Sequence, residues 1–274
     1  MKMNSRVKPH VACTIVLALA ALTVGGSNCL AGPEIILYDV DFNGPPHVVG
    51  TTPAFGFGPY PRNTPTAGGQ IFSPTGSAKV VAANGPMTNK PVRLTAIDGT
   101  PNDPNHLGGA DLQFDLDDPQ IFPLTRFHAS VDVLPSDLRT ASGLGIFFDA
   151  STIHSVQFMP DGNIRIIDAT GVNKVVGQYS PETVYTVQMT FDEAIAQWSA
   201  AINGIPVYHG PTDEVDMERF RIAMTTGDTL ISCSAFVDNI KISADVPEPG
   251  TICLAGMVMS AVALLPRRRI RRKS

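Results

Sequence analysis

The chain has 274 residues, of which only 16% are charged, and it is rich in glycine (24) and proline (23); that composition speaks against a helical bundle. Its 25 Asp+Glu and 20 Lys+Arg give a net charge of −5, but every acid falls between Glu34 and Glu248, where only 11 basic residues stand among them. A body with that acidic surplus repels phosphate backbones, which argues against a nucleic-acid partner.

Residues 1–31 read as a secretory signal peptide. Lys2, Arg6 and Lys8 form a positive n-region, Val11–Val24 an apolar run, and Cys29-Leu30-Ala31 a small-x-small cleavage site. A cut after Gly26 or Ser27 fits nearly as well. The apolar run is shorter than the roughly 20 residues that span a bilayer, which disfavours an uncleaved anchor. Asn28 before Cys29 does not fit a lipoprotein site.

Residues 32–246 form the body, and it reads as an all-β sandwich. Ile36, Tyr38, Val40 and Phe42 alternate with Leu37, Asp39 and Asp41 as a first strand. The Pro/Gly-rich stretch Gly44–Gly69 reads as loop. Further strands are expected at Phe127–Val133, Leu144–Phe148, Val156–Phe158, Ile164–Ile166, Tyr185–Phe191, Trp198–Ile202, Ile205–Tyr208, Phe220–Met224 and Phe236–Ile242. Pro160-Asp161-Gly162-Asn163 and Asn203-Gly204 mark two hairpins. Gly143-x-Gly145 inside a strand pattern marks a bulge. Of the four cysteines only Cys233 lies in the body, so it pairs with nothing inside the exported chain and reads as a buried small hydrophobe.

From about Phe127 to Ile242 the order of these features resembles a concanavalin-like jelly roll of the laminin-G-like kind. The resemblance rests on Phe158-x-x-Asp161-Gly162-x-Ile164, Tyr185-x-Val187 to Phe191-Asp192, Trp198 to Asn203-Gly204 and Ala235-Phe236-Val237-Asp238-Asn239-Ile240. It implies that the first and last strands lie side by side. It also implies a structural Ca²⁺ near that corner, for which Asp238 and Asp41 are the candidate ligands. Asp238 shares strand parity with Phe236, Ile240 and Ile242, and a buried carboxylate is costly unless paired or bound to a cation. A bulge that turns Asp238 outward, or pairing with Arg or backbone N–H groups, would serve equally.

Other candidate chemistry is sparse. Asp98, Asp103, Asp111, Asp115, Asp117 and Asp118 read as a solvated acidic loop, since their spacing fits no EF-hand. Glu214-Val215-Asp216-Met217-Glu218 resembles the catalytic signature of laminarinase-type and lichenase-type glycoside hydrolases, with Glu214 and Glu218 as the carboxylate pair. Against it stand one Trp and five Tyr in the whole chain, a thin supply of sugar-stacking rings, and only a short stretch of body after the motif. The histidines show no metal-ligand spacing, and His128 on the polar parity of its strand reads as solvent-exposed.

Residues 247–274 are the most specific segment. Pro247-Glu248-Pro249 is followed by the apolar stretch Ile252–Leu265 and then by Arg267, Arg268, Arg269, Arg271, Arg272 and Lys273. In order and spacing this resembles the PEP-CTERM sorting signal of exported bacterial proteins. The resemblance implies recognition and processing by an exosortase-type membrane enzyme, with a short transmembrane helix as a transient anchor and the basic cluster held on the cytoplasmic side. The expectation is therefore an exported, non-catalytic cell-surface or extracellular-matrix protein that binds or spaces exopolysaccharide. A glycoside hydrolase using Glu214/Glu218 and a purely structural spacer are the alternatives. An exposed aromatic row on one sheet face would mark a binder.

Overall fold

The computed structural model describes residues 34–44, 47–51, 69–70, 77–96, 108–116, 126–138, 142–149, 153–168, 170–212, 217–226 and 233–245. The expected signal peptide, the sorting motif Pro247-Glu248-Pro249, the tail helix and the cluster from Arg267 to Arg272 lie outside these residues. Among the described residues no helix is long and apolar enough to cross a membrane.

Glu34–Val246 is one compact unit. Its strands are β1 (Glu34–Val40), β2 (Gly69–Gln70), β3 (Ser77–Val80), β4 (Val92–Ala96), β5 (Gly108–Asp115), β6 (Arg126–Asp137), β7 (Ser142–Asp149), β8 (Ile153–Phe158), β9 (Asn163–Asp168), β10 (Asn173–Gln178), β11 (Tyr185–Asp192), β12 (Gln197–Ile202), β13 (Ile205–Pro211), β14 (Arg219–Thr226) and β15 (Cys233–Asp245). They form two antiparallel sheets. The larger runs β13-β12-β11-β6-β15-β4-β3, with β1 also pairing β15; the smaller runs β10-β9-β8-β7-β14-β5-β2. The 13-residue β15 is long enough to pair β4 along Cys233–Val237 and β1 along Ile240–Asp245. First and last strands therefore do lie side by side.

The core follows the alternation of the sequence. Phe127, Ala129, Val131 and Val133 of β6 meet Val187, Met189 and Phe191 of β11 and Trp198 and Ala200 of β12, all buried. From the facing sheet come Leu144, Ile146 and Phe148, Val156 and Phe158, Ile164 and Ile166, and Phe220, Ile222 and Met224, again buried. Burying that many apolar side chains, each contributing roughly 1.5–3 kcal/mol, is what holds the sheets together. Both expected hairpins form, and Asn203 (φ 52) and Gly204 (φ 76) take the positive φ pair of a type I′ turn.

Four local expectations are corrected. Asp111 and Asp115, read as part of a solvated acidic loop, lie in β5, whose Ala110, Leu112 and Phe114 are buried in the core. A register shift between Ile36 and Tyr38 breaks the alternation of β1, so Leu37 is buried with Tyr38 while Ile36 is 41% exposed. A second shift between Asp238 and Lys241, with Asn239 at φ 51, flips the parity of β15. Before it, Cys233, Ala235 and Val237 enter the main core; after it, Ile240, Ile242 and Ala244 do. Asp238 thus shares a side with Phe236 alone, which packs in a small separate cluster with Met87 and Leu134. Gly143-x-Gly145 marks no bulge, because β7 pairs β14 in unbroken register. A Cβ on Gly145 would instead strike the Phe147 ring, over which the Arg221 guanidinium lies 4.8 Å from the centroid.

Candidate functional site

The alternation that fills the core sends a second set of side chains to the outer face of the larger sheet. The register aligns them in a row across five strands: His209 of β13 opposite Ser199 of β12, then Thr190 of β11, His128 of β6 and Ser243 of β15. A parallel row holds Gln197, Asp192 and Arg126, and a third holds Gln188, Ser130 and Lys241. Two grooves of about 310 and 210 Å³ open over this face and share His128 and Thr190. Nearly every lining group donates or accepts hydrogen bonds.

His128 sits at the junction of the two grooves. Its Nδ1 lies 3.1 Å from Thr190 Oγ1 and its Nε2 lies 3.4 Å from Asp245 Oδ1. Arg126 donates through Nε to Asp192 Oδ2 at 2.7 Å, again through a terminal nitrogen to the same oxygen, and through its other terminal nitrogen to Asp245 at 3.5 Å. Those bonds hold the Arg126 pKa above its ordinary value, the Asp192 bond foremost. Lys241 Nζ lies 3.4 Å from Glu34. The hydrogen bond from Ser243, then the Lys241 and His128 charges, hold the Glu34 carboxyl below its usual range.

A second polar group is enclosed between the sheets. Thr212 Oγ1 and His154 Nε2 lie 2.7 Å apart, and the His154 ring packs 5.3 Å from Trp198. Tyr208 lies 4.5 Å from Trp198 and donates its hydroxyl to Asp168 at 2.8 Å. Asp168 also accepts from the Thr170 hydroxyl and from the Thr170 and Val172 N–H groups. Burial would raise the Asp168 pKa, but these bonds and the nearby His154 hold it below the ordinary value. Burial and the bond to Asp168 push Tyr208 up to about 12. Asp168 and His154 are 5% and 0% exposed, so this group ties the sheets together and offers nothing to a ligand.

The corner of β1 and β15 brings Asp238 and Asp41 together, and adds Asp132, which the sequence reading did not single out. Asp238 is buried and accepts from the Asn239 N–H at 2.9 Å. Burial pushes its carboxyl up to about 6, against the bonds from Asn239 and Asn89 and with the negative charges of Asp132 and Asp41. Asp132 accepts from Thr186 and Asn239, and Asp41 from the Asn43 N–H. Among the described residues no group of three or more His, Cys, Asp or Glu side chains is placed to hold a metal ion. Asp238, Asp132 and Asp41 thus lie near one another, each accepting hydrogen bonds.

Glu214 lies outside the described residues. Glu218 leads into β14 of the smaller sheet, its carboxylate 3.2 Å from Arg219 and its carbonyl accepting from the Leu116 N–H. Sequence reasoning found His128 on a polar parity but stopped at solvent contact. The missing signal was the register, which no single strand contains, that sets His128 between Thr190 and Ser243.

No protein-family model matches the sequence, and no curated protein is similar to it. Among solved structures the chain is similar to a sialidase at 15% identity and TM-score 0.47, over 64% of this chain but only 16% of that one. It is similar to an alginate lyase of polysaccharide lyase family 7 at 11% identity and TM-score 0.47, over 63% of this chain and 95% of the lyase. It is also similar to an endo-acting O-glycanase of the human gut microbiota at 11% identity and TM-score 0.48, over 76% and 98%. At such identities the likeness is one of fold. The expectation of a non-catalytic matrix protein that binds or spaces polysaccharide finds no support in these comparisons. Among the described residues every large exposed apolar side chain is aliphatic.

Proposed function

We propose that this chain is a glycan-cleaving enzyme, of the glycoside hydrolase kind, that works on polysaccharide laid across the outer face of the larger sheet. The observation that carries this reading is the row from His209 through Ser199 and Thr190 to His128, over which two adjoining grooves open, with Ser243 buried at its end. Neighbouring strands lie about 4.8 Å apart, so five strands span about 19 Å, room for several sugar rings. Sugar hydroxyls both donate and accept, and a face of hydroxyls, amides and imidazoles meets both needs. His128 gives a proton to the glycosidic oxygen as its bond to the anomeric carbon breaks, water adds to that carbon and returns a proton, and Asp245 orients the ring. The purified full chain should release new reducing ends from a polysaccharide panel, and His128→Ala should lower that rate by about 10²–10⁴-fold at an unchanged unfolding midpoint. Full activity in the variant would remove His128 from the mechanism.

The same proposal places the work outside the cell. The positive n-region and apolar run of residues 1–31, together with Pro247-Glu248-Pro249, the apolar stretch and the Arg267–Arg272 cluster, support export and processing by an exosortase-type enzyme. Fractionation of cells making the full chain should find the body in the envelope or medium without residues 247–274. Full-length protein retained in the cytoplasm would contradict it.

A further inference from the structure

From the charges on the same face, and resting on the reading of it as a glycan site, we infer that the substrate is an uncharged polysaccharide. Recognising a uronate or sialate carboxylate needs a cation whose donors are free, above all the bidentate fork of an arginine. Arg126 is the arginine lining the grooves, and three of its five N–H donors are already engaged. Nε and one terminal nitrogen bond Asp192, and the other terminal nitrogen bonds Asp245. Lys241 faces Glu34. Three carboxylates, Glu34, Asp192 and Asp245, therefore stand against two permanent cations, and the face carries a surplus of negative charge before any substrate arrives. His128, if protonated, meets Asp245 first.

The whole body reinforces the local balance, since its acids outnumber its bases by 25 to 11 between Glu34 and Glu248. A polyanion approaching the grooves would meet repulsion at long range and, at contact, an arginine already shared between two carboxylates. An uncharged glycan meets neither obstacle. It finds Thr190, Ser199, Ser130 and Gln188 along the rows, all able to exchange water hydrogen bonds for sugar hydroxyls.

The test is a glycan array holding uncharged, uronate-containing and sialate-containing oligosaccharides, probed with the full chain and read at each spot for retained protein and for cleaved glycan. Uncharged glycans alone should retain protein or be cleaved. Glu34→Gln and Asp192→Asn, added singly to that chain, release Lys241 and the Arg126 fork. Each should raise retention of acidic glycans by about tenfold at low salt, and the gain should fade as salt is added. Retention or cleavage of acidic glycans by the chain with both carboxylates intact, or of no glycan at all, overturns the inference. The enzyme reading fails separately: it falls if the wild-type chain releases no product from any glycan, charged or uncharged.

Discussion

Asp238 is where a single side chain has the largest measurable consequence. Its folded-state pKa of about 6 stands above the ordinary 3.8, so the fold binds its proton more tightly than the unfolded chain does. Its contribution to stability is complete below about pH 3.8 and is lost as pH rises through 6. At neutral pH the buried charge then weighs against the fold by about 3 kcal/mol. Asp238→Asn keeps an oxygen for the Asn239 N–H and removes the charge. Urea unfolding should show the variant more stable than wild type at pH 7, with the gap closing by pH 4. Lower stability at both pH values would mean that the charge is compensated. Tyr208 makes the opposite case, because its hydroxyl supports a carboxylate whose pKa is depressed. Tyr208→Phe should destabilise the fold by about 1–3 kcal/mol at neutral pH. The loss should shrink on acidification as Asp168 takes a proton; a loss independent of pH would refute that assignment.

At the scale of elements, regular strands were legible because burial on one face imposes alternation. Phe220, Ile222 and Met224, or Tyr185 through Phe191, could hardly be read otherwise. The Asn203-Gly204 turn was legible for a different reason, since few residue pairs accept two positive φ values. Gly204→Ala should cost about 1 kcal/mol and lower the unfolding midpoint by about 2–4 °C. An unchanged midpoint would show that the turn relaxes. The bulges were not legible. At Ile36–Tyr38 and at Asn239 a residue is inserted into the register, and nothing in the local hydrophobic pattern marks it, so the side of Ile36 and of Asp238 was misassigned. The short β3 and β4 were hidden for a similar reason: their partners are each other and β15, distant in sequence.

For the whole molecule, the sandwich followed from the sequence and the adjacency of first and last strands from the jelly-roll resemblance, but the candidate site followed from neither. It is a property of register across β13, β12, β11, β6 and β15, and each strand contributes only one or two unremarkable polar residues to it. Of the carboxylate motif that the sequence did offer, Glu218 leads into β14 in the other sheet, and Glu214 lies outside the described residues. Function on the outer face therefore depends on the assembled sheet. The most direct measurement is product release from a panel of uncharged and acidic polysaccharides by the full chain and by His128→Ala, read as new reducing ends and by mass spectrometry. Cleavage of an uncharged polymer by the wild type and its loss in the variant is the result expected. No product from any polymer would contradict the assignment of this face as an active site.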